Sequence, residues 1–292
     1  MSDKILYLDT VHIIESIPAG EFHTGRKLYD DIEPLALAVR THEIRVKLEQ
    51  VQTRQEFLAR LAAIAEHARA GHSPVLHIET HGNQDGIELA SREFLTWQDL
   101  KASLTAINEA SNLNLLVILA ACDGANLLHV IQPTERAPVR AIMGPKRTIK
   151  FGEIERATRA FYQTLFETRS ARGAWTAMND AVSSTEETFS VFPADSIFIY
   201  VFRQYLRTLC TPEELDKREA RKVAEAVANG LTAERIDHFR QFFRSYVQDH
   251  PSYFAKLKRH FFFCDRYPEN WERFDFTFDQ CVVGLDITRG PN

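Results

Sequence analysis

Cysteine is scarce in this chain. Cys122, Cys210, Cys264 and Cys281 are the four among 292 residues, widely scattered and with no Cys-x-x-Cys pair. A chain this long does not need a disulfide framework and no Cys-x-x-Cys pair suggests zinc, so a reducing cytoplasm is the expected setting. Long apolar runs are also missing. No stretch approaches the roughly 20 residues needed to span a bilayer, so no membrane attachment is expected. Met1-Ser-Asp-Lys4 leads into no long apolar stretch with a small-residue cleavage site, so no secretory signal is expected. Positive charge is not in excess: Lys plus Arg number 35 against 40 Asp plus Glu, a formal net charge of −5. A general affinity for nucleic acid does not follow from such a balance. Repeats, low-complexity segments and long linkers are absent. Among the histidines, His12, His23 and His42 lack ligand spacing and read as surface or strand-end residues, so neither metal nor cofactor is expected.

What is present is globular material, 45% hydrophobic and 26% charged. The first two thirds alternate strand-like and helix-like segments. Ile5–Tyr7 and Val11–Ile17 are short and rich in β-branched residues. Thr24–Arg40 has helical spacing, with Pro34 expected to break or restart the helix. Glu43–Val51 alternates polar and apolar residues, the period of a strand with one solvated face. Thr53-Arg-Gln-Glu56 is a capping box for a helix that Gly71 ends. Pro74–Thr80 and Leu113–Ala121 read as strands, the second apolar enough to be covered on both faces. Thr96-Trp-Gln-Asp99 opens the helix between them, anchored by Trp97. Val139–Met143 is a further strand, Gly152–Thr168 and Ala174–Val182 are helices, and Ile197–Phe202 reads as the last central strand. Strands separated by helices predict right-handed βαβ units and a mostly parallel sheet.

The end of the chain changes character. Thr211-Pro-Glu-Glu214, Gly230, Thr232 and Pro251 mark the starts and stops of helices. The terminus is aromatic, from Phe261-Phe-Phe263 to Phe278. The expected organisation is an α/β domain over residues 1–205 and a helical, aromatic-rich extension over 206–292 packed on it.

Two residues carry the candidate chemistry. His81 closes Pro74-Val-Leu-His-Ile-Glu-Thr-His81 and precedes Gly82; Cys122 closes Leu113-Asn-Leu-Leu-Val-Ile-Leu-Ala-Ala-Cys122 and is followed by Asp123 and Gly124. In neighbouring parallel strands both would surface on one sheet edge, where α/β proteins bind ligands. A thiol is a weak nucleophile at neutral pH, and an adjacent imidazole that takes its proton activates it. The backbone N–H groups of Gly82 and Cys122 could polarise a scissile carbonyl, a contribution of roughly 2.7–4 kcal/mol per donor where such holes operate. Taken singly, a strand-end cysteine is commonly a small core residue and a His-Gly pair commonly a turn. Their joint placement favours catalysis. Cys210, Cys264 and Cys281 have no adjacent base and read as packing residues.

Ile78-Glu-Thr-His81-Gly82-Asn83, Gly86-Ile-Glu-Leu89 and Val117-Ile-Leu-Ala-Ala-Cys122-Asp-Gly124 resemble the His and Cys motifs of caspase-like (clan CD) cysteine peptidases. The nearer resemblance is to the CHAT branch, which includes relatives of separase. It spans about residues 70–182 and implies a three-layer α/β sandwich, with His81 as general base, Cys122 as nucleophile and Gly82 as an oxyanion donor. It also implies a protein or peptide substrate, a possible regulatory protein partner and no cofactor, in a prokaryotic defence or stress pathway. Ala-Ala-Cys-Asp-Gly departs from the Gln-Ala-Cys context of caspases and argues against their aspartate specificity. Asp123 beside the nucleophile, and Asp195 in the loop expected before the last strand, are the candidates to meet a basic substrate side chain; Glu186 and Glu187 lie in the same loop. Lys146-Arg147 and Lys150 read as a solvated basic loop. The alternative is a caspase-like scaffold that binds a partner without chemistry.

Overall fold

Thr10–Ser16 (β1) is buried at every position, polar residues included. The computed structural model describes residues 6–39, 43–121, 124–145, 151–182 and 188–285. Its contacts divide the chain into two units: Met1–Ile131 with Ala137–Ala194, and Gln132–Arg136 with Asp195–Asn292.

The first unit is a sheet between helices. After β1 come α1 (Thr24–Ala38), β2 (Arg45–Gln50), α2 (Arg54–Arg69), β3 (Pro74–Asn83), β4 (Gly86–Glu88), β5 (Phe94–Thr96), α3 (Trp97–Ala110) and β6 (Leu116–Ala120). A short 3-10 turn, Gly124–Val130, precedes β7 (Ala141–Pro145), α4 (Phe151–Thr168), α5 (Ala171–Asp180) and β8 (Phe189–Pro193). Among the described residues the sheet order is β2-β1-β3-β6-β7-β8, with β4 and β5 extending β3 as a small antiparallel side sheet. The pairs from β2 to β7 along that order are parallel, and β8 is antiparallel to β7. This is the expected α/β sandwich with a mostly parallel central sheet.

Alternation along the strands splits the core in two. Val11 and Ile13, Val75, Leu116 and Ile118, and Ala141 and Met143 share one core with Leu28 and Ile32 of α1, Phe161 and Leu165 of α4 and Met178 of α5. The other face carries Ile14, Leu76, Ile78, Val117 and Leu119, all buried. There His12 of β1 meets His67 of α2, and α2 packs on α3. Local signals set these helices. Thr53 and Glu56 form the reciprocal capping box at α2, and Thr96 accepts from the Asp99 N–H at α3. Trp97, 2% exposed, donates Nε1–H to the carbonyls of Asn83 and Gln84 and so ties α3 to the tip of β3.

Pro34 does not break α1, which runs unbroken from Thr24 to Ala38. Burial of Leu28, Ile32 and Ala36 on one face outweighs the single backbone bond that proline removes. At the start of that helix, the buried Glu15 carboxylate accepts from the N–H groups of Gly25 (2.7 Å) and Arg26 (3.1 Å), an anion placed at a helix N-terminus. Gln50 and His23 meet its other oxygen at 2.7 and 2.9 Å. Glu79 accepts from Thr24 Oγ1 at 2.7 Å and lies 2.9 Å from His77 Nε2. These contacts fix the connection that leaves β1 beside the C-terminal end of β3.

The second unit is helical: α6 (Ala194–Leu209), whose first residue closes the first unit, then α7 (Pro212–Ala228), α8 (Ile236–Gln248), α9 (His250–Phe261) and the short α10 (Asn270–Arg273) and α11 (Phe278–Val282). Ile197–Phe202, expected to be the last strand, is the middle of α6. The reason lies in its aromatic residues. Phe198 and Phe202 are four positions apart on one helical face and sit at the centre of a phenyl cluster, 5.1 Å from Phe261 and 5.3 Å from Phe254 respectively. Phe262 stacks on Phe274 at 4.3 Å. Arg136 clamps Asp265 with two bonds of 2.5 and 2.6 Å and also donates to the His260 carbonyl. That clamp holds the Asp265 carboxyl down at about 2.

Candidate active site

The C-terminal ends of β1, β3, β6 and β7 share one sheet edge because these strands are parallel. In the β3–β6 ladder the last pair is Glu79 with Ala120. His81 lies on β3 two residues beyond that pair, and in sequence Cys122 follows the end of β6 by two residues. Cys122 and Asp123 themselves fall outside the described residues, as do Glu186, Glu187 and the basic stretch Lys146–Lys150.

His81 opens the β3–β4 hairpin, opposite Glu88, with Gly82 opposite Ile87. The Asn83 side chain accepts from the N–H groups of Asp85 and Gly86 and closes the turn. Gly86 is required there, because a Cβ would sit 2.1 Å from the Leu95 carbonyl oxygen. The His81 side chain is 49% exposed. Its Nε2 lies 2.6 Å from Oε2 of Glu21, a residue 60 positions earlier in the connection after β1. A carboxylate only accepts, so Nε2 carries the hydrogen, and in the neutral ring Nδ1 is left as the acceptor. Glu21 is 3.9 Å from Arg92, which also donates to Glu88 at 2.5 Å. Sequence reading missed Glu21. Nothing in Gly20-Glu21-Phe22 marks a functional carboxylate, and only the pairing of β1 with β3 brings it to the imidazole.

Asp195 does not sit in a loop before a strand. It lies in the first turn of α6, where its Oδ1 accepts from the Ser196 N–H at 2.8 Å. The strand before it, β8, runs antiparallel and ends at Pro193 opposite Ala141, where β7 begins. The loop before a last strand that Asp195 was expected to occupy is therefore the start of a helix, after an antiparallel strand.

A cavity of about 280 Å³ opens between β6, the Gly124–Val130 turn, β7 and β8. Elsewhere in the unit, His12, His67 and His72 approach one another near Asp9, yet no group of three His, Cys, Asp or Glu side chains among the described residues is arranged to hold a metal ion. The other thiols are poor nucleophiles. Burial pushes Cys281 up to about 11, and raises Cys264 and Cys210. No described helix is long and apolar enough to cross a membrane.

The chain is similar to a caspase. The crystal structure of caspase-1 from Spodoptera frugiperda superposes with a TM-score of 0.46 at 11% identity, covering 66% of this chain and 88% of that one. No protein-family model matches the chain, and no curated protein matches it.

Proposed function

We propose that this chain is a caspase-like cysteine peptidase that uses Cys122 as nucleophile and His81 as general base, with Glu21 orienting the imidazole. The observation that carries the reading is the register. In sequence, both residues follow by two positions the Glu79–Ala120 pair of neighbouring parallel strands. On β3, strand alternation puts His81 on the same face as Val75. The tautomer supports it as well, since the bond to Glu21 leaves Nδ1 able to take a proton.

In this mechanism the Cys122 sulfur attacks the peptide carbonyl and its proton passes to His81 Nδ1. The imidazolium so formed faces the Glu21 carboxylate, which stabilises it. Collapse of the tetrahedral intermediate breaks the C–N bond as His81 returns the proton to the leaving amine. Water, deprotonated by His81, then hydrolyses the thioester. The N–H groups of Gly82 and Cys122 are the proposed donors to the oxyanion. The motif resemblance extends the proposal to cleavage of a protein partner in a prokaryotic defence or stress response.

The test is a peptide library offered to the wild type, Cys122→Ala and His81→Ala. Cleavage by the wild type alone supports the proposal. Cleavage that survives both substitutions, or none by any form together with equal slow alkylation of all four cysteines, leaves a partner-binding scaffold.

A further inference from the structure

The first turn of α1 is held from the sheet and not by its own cap. His23, the residue before it, makes no side-chain bond to the open N–H groups. Glu15 of β1 and Glu79 of β3 face each other in the β1–β3 ladder, and both reach that turn. Glu15 takes the Gly25 and Arg26 N–H groups, and Glu79 takes the Thr24 hydroxyl at 2.7 Å. Two buried carboxylates side by side are costly, and an apolar pair would carry no such penalty. Glu79 is also tied from behind. A carboxylate only accepts, so His77 Nε2 donates to it at 2.9 Å, and Nδ1 then accepts from the Tyr162 hydroxyl at 3.0 Å. His77 and Tyr162 are fully buried, so Glu79 has little freedom to move.

Glu21 lies three residues before Thr24 and three after Pro18. Its N–H donates to the Pro18 carbonyl at 3.2 Å, in a turn that Gly20 makes at φ +93°. The segment that carries this carboxylate is thus fixed on both sides, by the Pro18 turn and by the bond from Thr24 to Glu79. Glu79 and His81 are two residues apart on β3. One strand therefore carries both the imidazole and the anchor of the group that meets it. We propose that Glu79 and Thr24 are positioning residues, whose bond sets Glu21 against His81 Nε2. Neither takes part in the proposed chemistry. The inference rests on the peptidase reading for its effect on rate, whereas its effect on the imidazole is independent of that reading.

Two measurements on the full chain test this. The first reads the ring and not the reaction. In long-range proton–nitrogen NMR spectra at alkaline pH, His81 is assigned by its loss in His81→Gln. A ring held as Nε2–H shows widely separated Nδ1 and Nε2 shifts, and admixture of the Nδ1–H form narrows the separation. Thr24→Val, which keeps the shape and removes the hydroxyl, is expected to narrow it, as Glu21→Ala does. Thr24→Ser is expected to keep the wild-type value. On a Glu21→Ala background Thr24→Val should add nothing, a result that a merely structural role would not produce. The second measurement is peptide cleavage. Thr24→Val should lower kcat with little change in KM, by no more than the about 5- to 30-fold expected of Glu21→Ala, and by nothing further in the double variant. A wild-type separation in Thr24→Val, or equal narrowing with and without Glu21, overturns the proposal whatever the activity. Narrowing that needs Glu21, without cleavage of any peptide, keeps the positioning and removes the peptidase. Cleavage by the wild type with unchanged spectra keeps the peptidase and removes the positioning. If Thr24→Val has no cooperative melt, Thr24→Ala, which lacks the same hydroxyl, carries both comparisons.

Discussion

Mild acid should loosen the sheet unit at His12. This residue is 3% exposed on β1, and neither ring nitrogen has a hydrogen-bond partner among the described residues. His67 meets it edge-on at 5.9 Å, and Glu49 Oε1 is 4.0 Å from Nδ1. Burial, with Lys47 and His67 adding and Asp9 opposing, lowers its pKa from 6.5 to about 4. The unfolded chain therefore takes up a proton first as pH falls. The stability of the neutral form is fully present above about pH 6.5 and is lost towards pH 4. A depression of that size corresponds to about 3 kcal/mol in total, at about 1.36 kcal/mol per unit, of which about 1.3 kcal/mol is lost between pH 7.5 and 5.5. That is a sizeable part of a net stability of roughly 5–15 kcal/mol. His12→Leu removes both the titration and two unpaired buried nitrogens, so it should be neutral or stabilising at pH 7.5. Urea unfolding of both proteins at pH 7.5 and 5.5 reads the difference: the wild type should lose about 1.3 kcal/mol more than the variant. Equal losses would show that His12 is not the titrating group and that its surroundings admit the charged ring.

Glu21→Ala should lower kcat/KM by about 5- to 30-fold, mainly through kcat. A charge-assisted hydrogen bond contributes roughly 1.5–3 kcal/mol when sheltered, and the half-exposed pair is discounted to about 1–2; a rate equal to wild type would remove Glu21 from the mechanism. Iodoacetamide at pH 7.5, followed by peptide mapping, should modify Cys122 before the three thiols that burial raises, and His81→Ala should erase that lead. Gly86→Ala should destabilise the hairpin by about 1–3 kcal/mol, because the added methyl meets a backbone carbonyl rather than a movable side chain; an unchanged urea midpoint would contradict the contact.

The parts of this molecule that were legible in its sequence are those written in local chemistry. Thr53 and Glu56 announce the capping box at α2, Gly71 its end at φ +97°, and the apolar run through Leu116–Ala120 its twice-covered strand. His81 and Cys122 stand out as candidates because each closes such a run in the sequence. Ile197–Phe202 was misread because a short continuous apolar run has neither the period of two nor that of 3.6, and its phenyl partners near Phe254 and Phe261 are remote in the chain. β8 was overlooked because its run, Phe189–Pro193, is only five residues long and ends in a proline. Glu21 and the cavity beside β6 are products of strand pairing. Each combines residues that no local pattern relates.

The short segment Gln132–Arg136 belongs to the helical unit although sheet strands precede and follow it. The chain thus visits that unit twice, and no single cut separates the two. A fragment ending at Ala194 would keep Arg136 and discard Asp265, stranding a guanidinium whose carboxylate has gone. Whoever wishes to dissect this protein will have to re-route the excursion between β6 and β7, not merely shorten the tail.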